Sequence, residues 1–207
     1  MLNMKKHSIH NDFSQLRIEM NERLTEIEKK VNQNIATLSH NDIGIIDIVQ
    51  KLSRELLELE TTASTYLLNR MLSKYTRCST ELSLAIHKLS RKRQEALIVI
   101  EAVDPVAPFI NGGIPINAVI TSQLLESIFQ PDSLLQEGAV LIQSDLIVSA
   151  SNTLPLTEQI FWDRAADIRE LSAIGLSEKC DALIILITNG GTAYFSLEGN
   201  LFPFSAS

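Results

Sequence analysis

Residues 136–158 read QEGAVLIQSDLIVSASNTLPLTE, and this stretch decides the class of fold. Two apolar runs, 139–142 and 146–149, flank the turn-forming residues Gln143-Ser144-Asp145. Short apolar runs on either side of a polar turn are typical of a β-hairpin. The stretch therefore predicts two antiparallel strands, the first of them buried.

Helices and strands follow one another through the rest of residues 81–207. The first predicted elements are a helix at 81–93, a buried strand at 96–100, a loop around Asn111-Gly112-Gly113 and a short strand at 117–120. A helix capped by Thr121 follows and ends by 129, and another helix runs from Asp163 to about 171 and resumes to 180 after an interruption at Gly175. The final strands are predicted at 183–188 and 192–197, joined by Asn189-Gly190-Gly191. Together they predict an α/β domain with a mixed central sheet flanked by helices.

Residues 1–80 predict an α-helical hairpin that precedes this domain. Apolar side chains recur at three- and four-residue spacing over 12–38 and again from about 42–44 to 76, with turn-forming residues at 39–42. Two such helices cannot bury both apolar stripes by themselves. We expect either the downstream domain or another copy of the chain to cover them, which favours a regulatory or oligomerisation region.

Charge differs sharply between the two parts of the chain. Residues 1–93 hold 15 Lys and Arg against 11 Asp and Glu, whereas residues 94–207 hold 3 against 14, which gives +4 and −11 and sums to the net −7. A nucleic-acid surface needs several cations on one face, so the C-terminal part predicts no nucleic-acid binding. A polyphosphate ligand there would need a divalent metal to neutralise it. The basic run Ser90-Arg91-Lys92-Arg93 either complements a helix dipole or faces the acidic domain.

Other classes of protein are excluded by what the sequence lacks. It contains no apolar run of about 20 residues, which a membrane span needs. Its first residues have no apolar segment of a secretory signal, so we expect a cytoplasmic protein without a membrane partner. Cys78 and Cys180 have no metal-ligand spacing and predict reduced, buried thiols.

An ordered series of motifs resembles the diadenylate cyclase (DAC) domain family over about residues 85–205. The family pattern runs Asp-Gly-Ala, Leu-Pro-Leu-(Ser/Thr)-Glu, Gly-Thr-Arg-His-Arg and then Ser-Glu. Its counterparts are Glu137-Gly138-Ala139, Leu154-Pro155-Leu156-Thr157-Glu158, Asp167-Ile168-Arg169-Glu170-Leu171 and Ser177-Glu178. The first 80 residues are similar to the two-helix extension of the sporulation-type cyclases.

The resemblance implies an enzyme that condenses two ATP into cyclic di-AMP and releases two pyrophosphates. The 3′-hydroxyl of one nucleotide attacks the α-phosphorus of the other, so two sites must face each other in a homo-oligomer, either a dimer or a hexamer. It also implies Mn²⁺ or Mg²⁺ as cofactor. On this basis Glu137 and Arg169 are the candidate catalytic residues, and Glu137 and Glu178 the metal ligands. The nucleotide would contact Gly138, Ala139, Leu154, Thr157, Arg169 and Ser177.

The chain departs from the family at residues that matter for chemistry. Glu137 replaces an aspartate, and Gln136 a histidine that often precedes it. Asp167, Ile168, Glu170 and Leu171 replace the glycine, threonine, histidine and second arginine of the arginine motif. Two alternatives therefore stand beside a cyclase. One is a weak or inactive nucleotide-binding homologue that regulates active cyclases. The other is a structural protein that assembles through its helices.

Overall fold

A computed structural model describes residues 18–34, 45–159 and 166–204 of the 207-residue chain. The chain divides into two compact units, Met1–Ala63 and Ser64–Ser207. The boundary falls within a long helix.

The first unit contains helix α1, residues 18–34, and most of helix α2, Ile45–Leu72. The predicted N-terminal helices are confirmed, and the outer parts of the predicted segments, 12–17 and 35–44, lie outside the described residues. No glycine or proline interrupts α2, so nothing breaks its backbone hydrogen bonds. Lys30 on α1 bonds Glu55 on α2 over 2.9 Å. None of the described helices combines the length and the apolar character that crossing a bilayer would take.

The second unit is built on one seven-stranded sheet. Its helices are the end of α2, α3 (Ser79–Arg91), α4 (Ser122–Ile128) and α5 (Ile168–Ser177), and its strands are β1 (Ala96–Ile100), β2 (Asn111–Val119), β3 (Ala139–Gln143), β4 (Leu146–Thr153), β5 (Leu183–Ile187), β6 (Ala193–Leu197) and β7 (Asn200–Phe204). The spatial order is β2-β4-β3-β1-β5-β6-β7. Among these seven described strands, β1 and β3 pair in parallel and the other neighbours pair antiparallel. The predicted mixed sheet is confirmed.

Both faces of the central strands are buried, which explains their continuous apolar sequences. Ala96, Ile98 and Ile100 of β1 belong to a core shared with α2, α3 and α4. Leu97 and Val99, which point to the other face, belong to a second core with α5. The sheet therefore lies between two helical layers, as predicted.

Three predicted element boundaries were wrong. The loop expected at Asn111-Gly112-Gly113 is the start of β2. Gly112 and Gly113 adopt φ of 72° and 94°, and Asn111 and Gly112 pair with Thr153 and Asn152 of β4. The chain also does not end at β6, because Asn200–Phe204 adds a seventh strand. The third error concerns α5.

Helix α5 runs without interruption through Gly175, where a break was expected. A Cβ at Gly175 would lie 2.4 Å from backbone atoms of Pro155, Leu156 and Thr157. Gly175 therefore lets residues 155–157 pack directly on the helix rather than ending it. The N-cap is Asp167, whose side chain accepts a hydrogen bond from the Ile168 N–H, while the predicted cap Asp163 lies outside the described residues.

Lys92 of the basic run, together with Lys88 one turn earlier on α3, pairs with an acidic residue of the same unit. Lys88 and Lys92 donate to the two carboxylate oxygens of Glu126 on α4, over 2.8 and 2.7 Å. Within the basic run, Lys92 therefore faces an acidic residue, while Arg91 and Arg93 are exposed. The two lysine contacts also lower the pKa of Glu126, because the Lys88 hydrogen bond and then the Lys92 hydrogen bond stabilise its charged form.

Candidate nucleotide site

One edge of the sheet gathers most of the predicted site residues. Because β1 and β3 are parallel and Ile98 pairs with Val140, both strands begin at the same edge. Glu95 directly precedes β1, and Glu137 and Gly138 directly precede β3. We call this end of the sheet the β1–β3 entry edge. Ala139 pairs with Asn152 near the end of β4, so Leu154 leaves the sheet there as well.

Glu137 presents an exposed carboxylate at the entry edge. Among the described residues it makes no hydrogen bond or ion pair. Mg²⁺ in nucleotide enzymes is usually held by one or two carboxylates together with substrate phosphates. A free carboxylate at the mouth of a strand fits that mode of binding.

Gly138 positions Glu137 because it lets the backbone next to Glu137 come close to the backbone of β4. Its φ is 75°, a conformation that favours glycine, and a Cβ there would lie 2.4 Å from the Asn152 carbonyl oxygen. The group that crowds Gly138 is thus the backbone of β4. Ala139, predicted to line a nucleotide, is 1% exposed and belongs to the core on the α5 side of the sheet.

Asn152 is a residue of the site that sequence reasoning missed. It is 2% exposed, and its Nδ2 donates to the Ala139 carbonyl oxygen over 2.8 Å. Ser149 Oγ donates to its Oδ1 over 2.9 Å. A buried amide needs such partners. The signal available in the sequence was an asparagine at the end of a strand, two residues before Leu154-Pro155.

Arg169 reaches the entry edge from the first turn of α5. Its Nη1 donates to Glu95 Oε2, and the two side chains are 15% and 31% exposed. Burial lowers the pKa of Arg169 from its usual value, because desolvation disfavours the charged form. The guanidinium remains charged at neutral pH. Like Asn152, Glu95 is a residue of this region whose contact could not be seen in the sequence.

Leu154 and Thr157 belong to the segment that packs on α5. Leu154 is 6% exposed and lies in the core beside α5. Thr157 N donates to the Leu171 carbonyl over 3.1 Å, and its Oγ1 donates to Glu178 Oε1 over 2.7 Å. Gln159 Nε2 donates to the same oxygen over 2.6 Å. Glu178 therefore anchors the 157–159 segment to the end of α5.

The Ser177 hydroxyl lies inside the protein. The residue is 4% exposed, and its Oγ is 2.9 Å from the Ile174 carbonyl and 2.9 Å from Ser196 Oγ. It also accepts the Gly199 N–H over 3.0 Å. These bonds join α5 to the β6–β7 turn.

The structure does not bring the two predicted metal ligands together. Glu178 lies against Gly199, in the turn near Leu183, and Leu183 pairs with Ile100 at the far end of β1. The ends of a five-residue strand are about 13 Å apart. Glu137 and Glu178 thus lie toward opposite ends of the sheet. Within residues 18–34, 45–159 and 166–204, no three His, Cys, Asp or Glu side chains form a group suited to a metal.

Comparison with known proteins identifies the family. Residues 83–198 match the DAC family model, described as DisA bacterial checkpoint controller nucleotide-binding. "Diadenylate cyclase CdaS" of Bacillus thuringiensis is 36% identical over 92% of this chain and 96% of its own length. "Cyclic di-AMP synthase CdaS" of Bacillus subtilis is 35% identical over 82% of each.

Solved structures agree with these matches. A crystal structure of a protein from Bacillus cereus, named a hypothetical membrane spanning protein, superposes with a TM-score of 0.72 and 36% identity, over 93% of this chain and 95% of its own. DacA from Staphylococcus aureus superposes with a TM-score of 0.57 and 28% identity, over 60% of this chain and 84% of its own. The chain therefore belongs to the diadenylate cyclase family, as a sporulation-type member with N-terminal helices before its DAC domain.

Proposed function

We propose that the chain is a diadenylate cyclase that condenses two ATP into cyclic di-AMP and releases two pyrophosphates. The observation that carries the proposal is the exposed carboxylate of Glu137 on the Glu137-Gly138-Ala139 turn, at the position of the family's aspartate. The relatives of matching length are named for this activity.

In this mechanism Glu137 takes the proton of a 3′-hydroxyl. The oxygen then bonds to the α-phosphorus of the opposed nucleotide while the bond to the β-phosphate breaks and pyrophosphate leaves. A second, equivalent transfer closes the ring. Because each transfer needs a nucleotide from the opposite side, two domains must face each other in a homo-oligomer. Bound Mn²⁺ or Mg²⁺ would neutralise phosphate charge that Arg169, with its one positive charge, does not.

The N-terminal helices supply the proposed restraint on activity. In the first unit Ile46, Val49 and Leu57 expose 70%, 55% and 54% of their surfaces, so an apolar face is available for assembly. An assembly through this face would decide which DAC domains can meet. The truncation that tests this should remove residues 1–63, because Leu68 and Leu72 are 2% and 0% exposed within the core of the second unit.

A raised specific activity in the folded truncation supports the restraint. An unchanged or lowered activity, with the far-ultraviolet circular dichroism of a folded domain, counts against it. The same spectrum identifies a truncated protein that does not fold, so that case is not mistaken for either outcome.

The surroundings of Arg169 favour the alternative, a homologue that binds nucleotide but is weakly active or inactive. Arg169 is already paired with Glu95, and the neighbouring Ile168 and Leu171 replace polar groups of the family motif. A site with so few free phosphate ligands could hold ATP without turning it over. Such a homologue would regulate active cyclases by assembling with them through the apolar face of its N-terminal helices.

One experiment separates the two functions. The full chain is incubated with ATP and Mn²⁺ or Mg²⁺, and product is followed by ion-exchange chromatography, while calorimetry measures ATP binding. Glu137→Gln removes the base and nearly preserves its size, and Glu198→Gln, an exposed carboxylate at the β6–β7 turn, is the matched control. Product that is lost only in Glu137→Gln supports the cyclase. Binding without product in the wild type supports the alternative, and neither binding nor product contradicts both.

A further inference from the structure

We propose that Glu95 is an internal counter-ion that competes with nucleotide phosphate for Arg169, and that it thereby sets the affinity of the site for ATP. This inference rests on the proposed nucleotide function. It assigns a role to a residue outside every motif on which the family resemblance was built.

The Arg169–Glu95 contact is more than a surface ion pair. Arg169 is 15% exposed and Glu95 31% exposed, so solvent screens the pair less than it screens a fully exposed one. Arg169 is also held by its position in the first turn of α5, two residues after the Asp167 N-cap. A guanidinium that donates to a carboxylate has fewer N–H groups left for a phosphate. An incoming phosphate must therefore displace Glu95 or bind a partly neutralised arginine.

The charged side chains around the entry edge determine how much this competition affects phosphate binding. The register of β1 and β3 brings Glu95 and Glu137 to the same edge on neighbouring strands. Two carboxylates thus lie at the end of the sheet at which Arg169 lies, and one of them is paired with it. Of the cations at the end of α3, Lys88 and Lys92 are engaged with Glu126 on α4, whereas Arg91 and Arg93 are exposed. Only three Lys and Arg residues occur in residues 94–207, so Arg169 is one of few cations that this part of the chain can offer a phosphate.

The replacement of Glu95 by glutamine removes its charge and keeps its shape. The released guanidinium can then bind phosphate, and the repulsion between Glu95 and phosphate disappears. The free energies measured for exposed ion pairs and for hydrogen bonds to charged groups set the size of the effect. On this basis we expect the Kd for ATP to fall about three- to tenfold. The gain should be absent for adenosine, which has no phosphate.

Calorimetry on the full chain with Mg²⁺ tests this directly. The ligand is α,β-methylene-ATP, which cannot release pyrophosphate, with adenosine as the phosphate-free comparison. The proteins are wild type, Glu95→Gln, Arg169→Gln, the double variant, and Glu198→Gln as a control that changes the same charge at the other end of the sheet. We expect tighter nucleotide binding for Glu95→Gln alone, and a clearly smaller gain when Arg169 is absent.

Three outcomes would overturn the inference while leaving the proposed function intact. They are unchanged affinity in Glu95→Gln, an equal gain in the Glu198→Gln control, and an equal gain in the Arg169→Gln background. If no protein in the series binds nucleotide, both the inference and the proposed function fail. Should Glu95→Gln not fold, as judged by circular dichroism, Glu95→Asp replaces it. The shorter arm weakens the contact and must still tighten binding, and an unchanged Kd then contradicts the inference.

Discussion

Asn152 at the end of β4 donates from Nδ2 to the carbonyl oxygen of Ala139 at the start of β3, over 2.8 Å. The bond lies two residues after Glu137, so it holds the turn that presents the candidate base. Both residues are buried, at 2% and 1% exposure. Solvent is therefore excluded from the bond in the native protein.

We expect Asn152→Ala to destabilise the protein by about 1–3 kcal/mol, because it leaves a buried carbonyl without its donor. Urea unfolding followed by circular dichroism measures the change. The matched control is Asn200→Ala, since Asn200 also donates to a backbone carbonyl, over 2.9 Å, but is exposed. Equal losses in the two variants would show that burial of the Asn152 bond is unimportant.

Gly138→Ala should destabilise the protein by about 1–3 kcal/mol, the usual cost of a non-glycine residue held in a left-handed conformation. The new methyl group would also meet the Asn152 carbonyl oxygen at 2.4 Å. Gly190→Ala is the control, because a Cβ at Gly190 has no neighbour closer than 3.8 Å. Thermal unfolding of both variants provides the comparison. A Gly138→Ala protein as stable as Gly190→Ala would mean that the turn rearranges freely.

Asp145 should make stability depend on acidic pH. The Arg77 backbone N–H donates to it over 2.8 Å and Arg77 Nε over 2.7 Å, and these bonds, together with one from Thr76, lower the pKa of Asp145. A carboxyl with a depressed folded pKa stabilises the protein above its unfolded pKa of about 3.9, and that contribution is lost as pH falls through the folded value.

The wild type should therefore have a higher Tm than Asp145→Asn at pH 7, and the difference should shrink below about pH 4. Differential scanning calorimetry across this range measures it. Asp132→Asn, an exposed aspartate outside the contact, should show no comparable difference. A gap between wild type and Asp145→Asn that is constant down to pH 2 would contradict the assignment.

Glu137→Asp should raise the rate of cyclic di-AMP formation if the proposed function holds. The shorter arm restores the aspartate of the family motif, and a misplacement of about 1 Å can cost about 100-fold in rate. We expect a gain of about 10- to 100-fold in kcat, with a smaller change in KM. Ion-exchange analysis of product measures it, with Glu198→Asp as the control. A lower rate in Glu137→Asp would show that the backbone is adapted to glutamate.

Much of the fold could be predicted from local patterns. The apolar runs of β1, β3 and β5 predicted strands because both of their faces are buried, and the spacing along α1 and α2 predicted helices. Errors occurred where packing overrides local preference. Gly112 and Gly113 are typical of a loop, yet both lie in β2, and Gly112 pairs with Asn152 of β4. Gly175 resembles a helix breaker, yet it is the contact point between α5 and residues 155–157.

The candidate site divides in the same way. The sequence by itself determined the family, the order of the motifs and the presence of Glu137 on a turn before a strand, because these depend on residues that are close in the chain. Only the tertiary structure decided which distant groups meet. It paired Arg169 with Glu95, 74 positions away, and Asn152 with the Ala139 carbonyl. It also set Glu178 apart from Glu137, because the direction of α5 across the sheet carries its two ends to opposite edges. Such contacts follow from strand order and helix direction, which no local pattern in the sequence specifies.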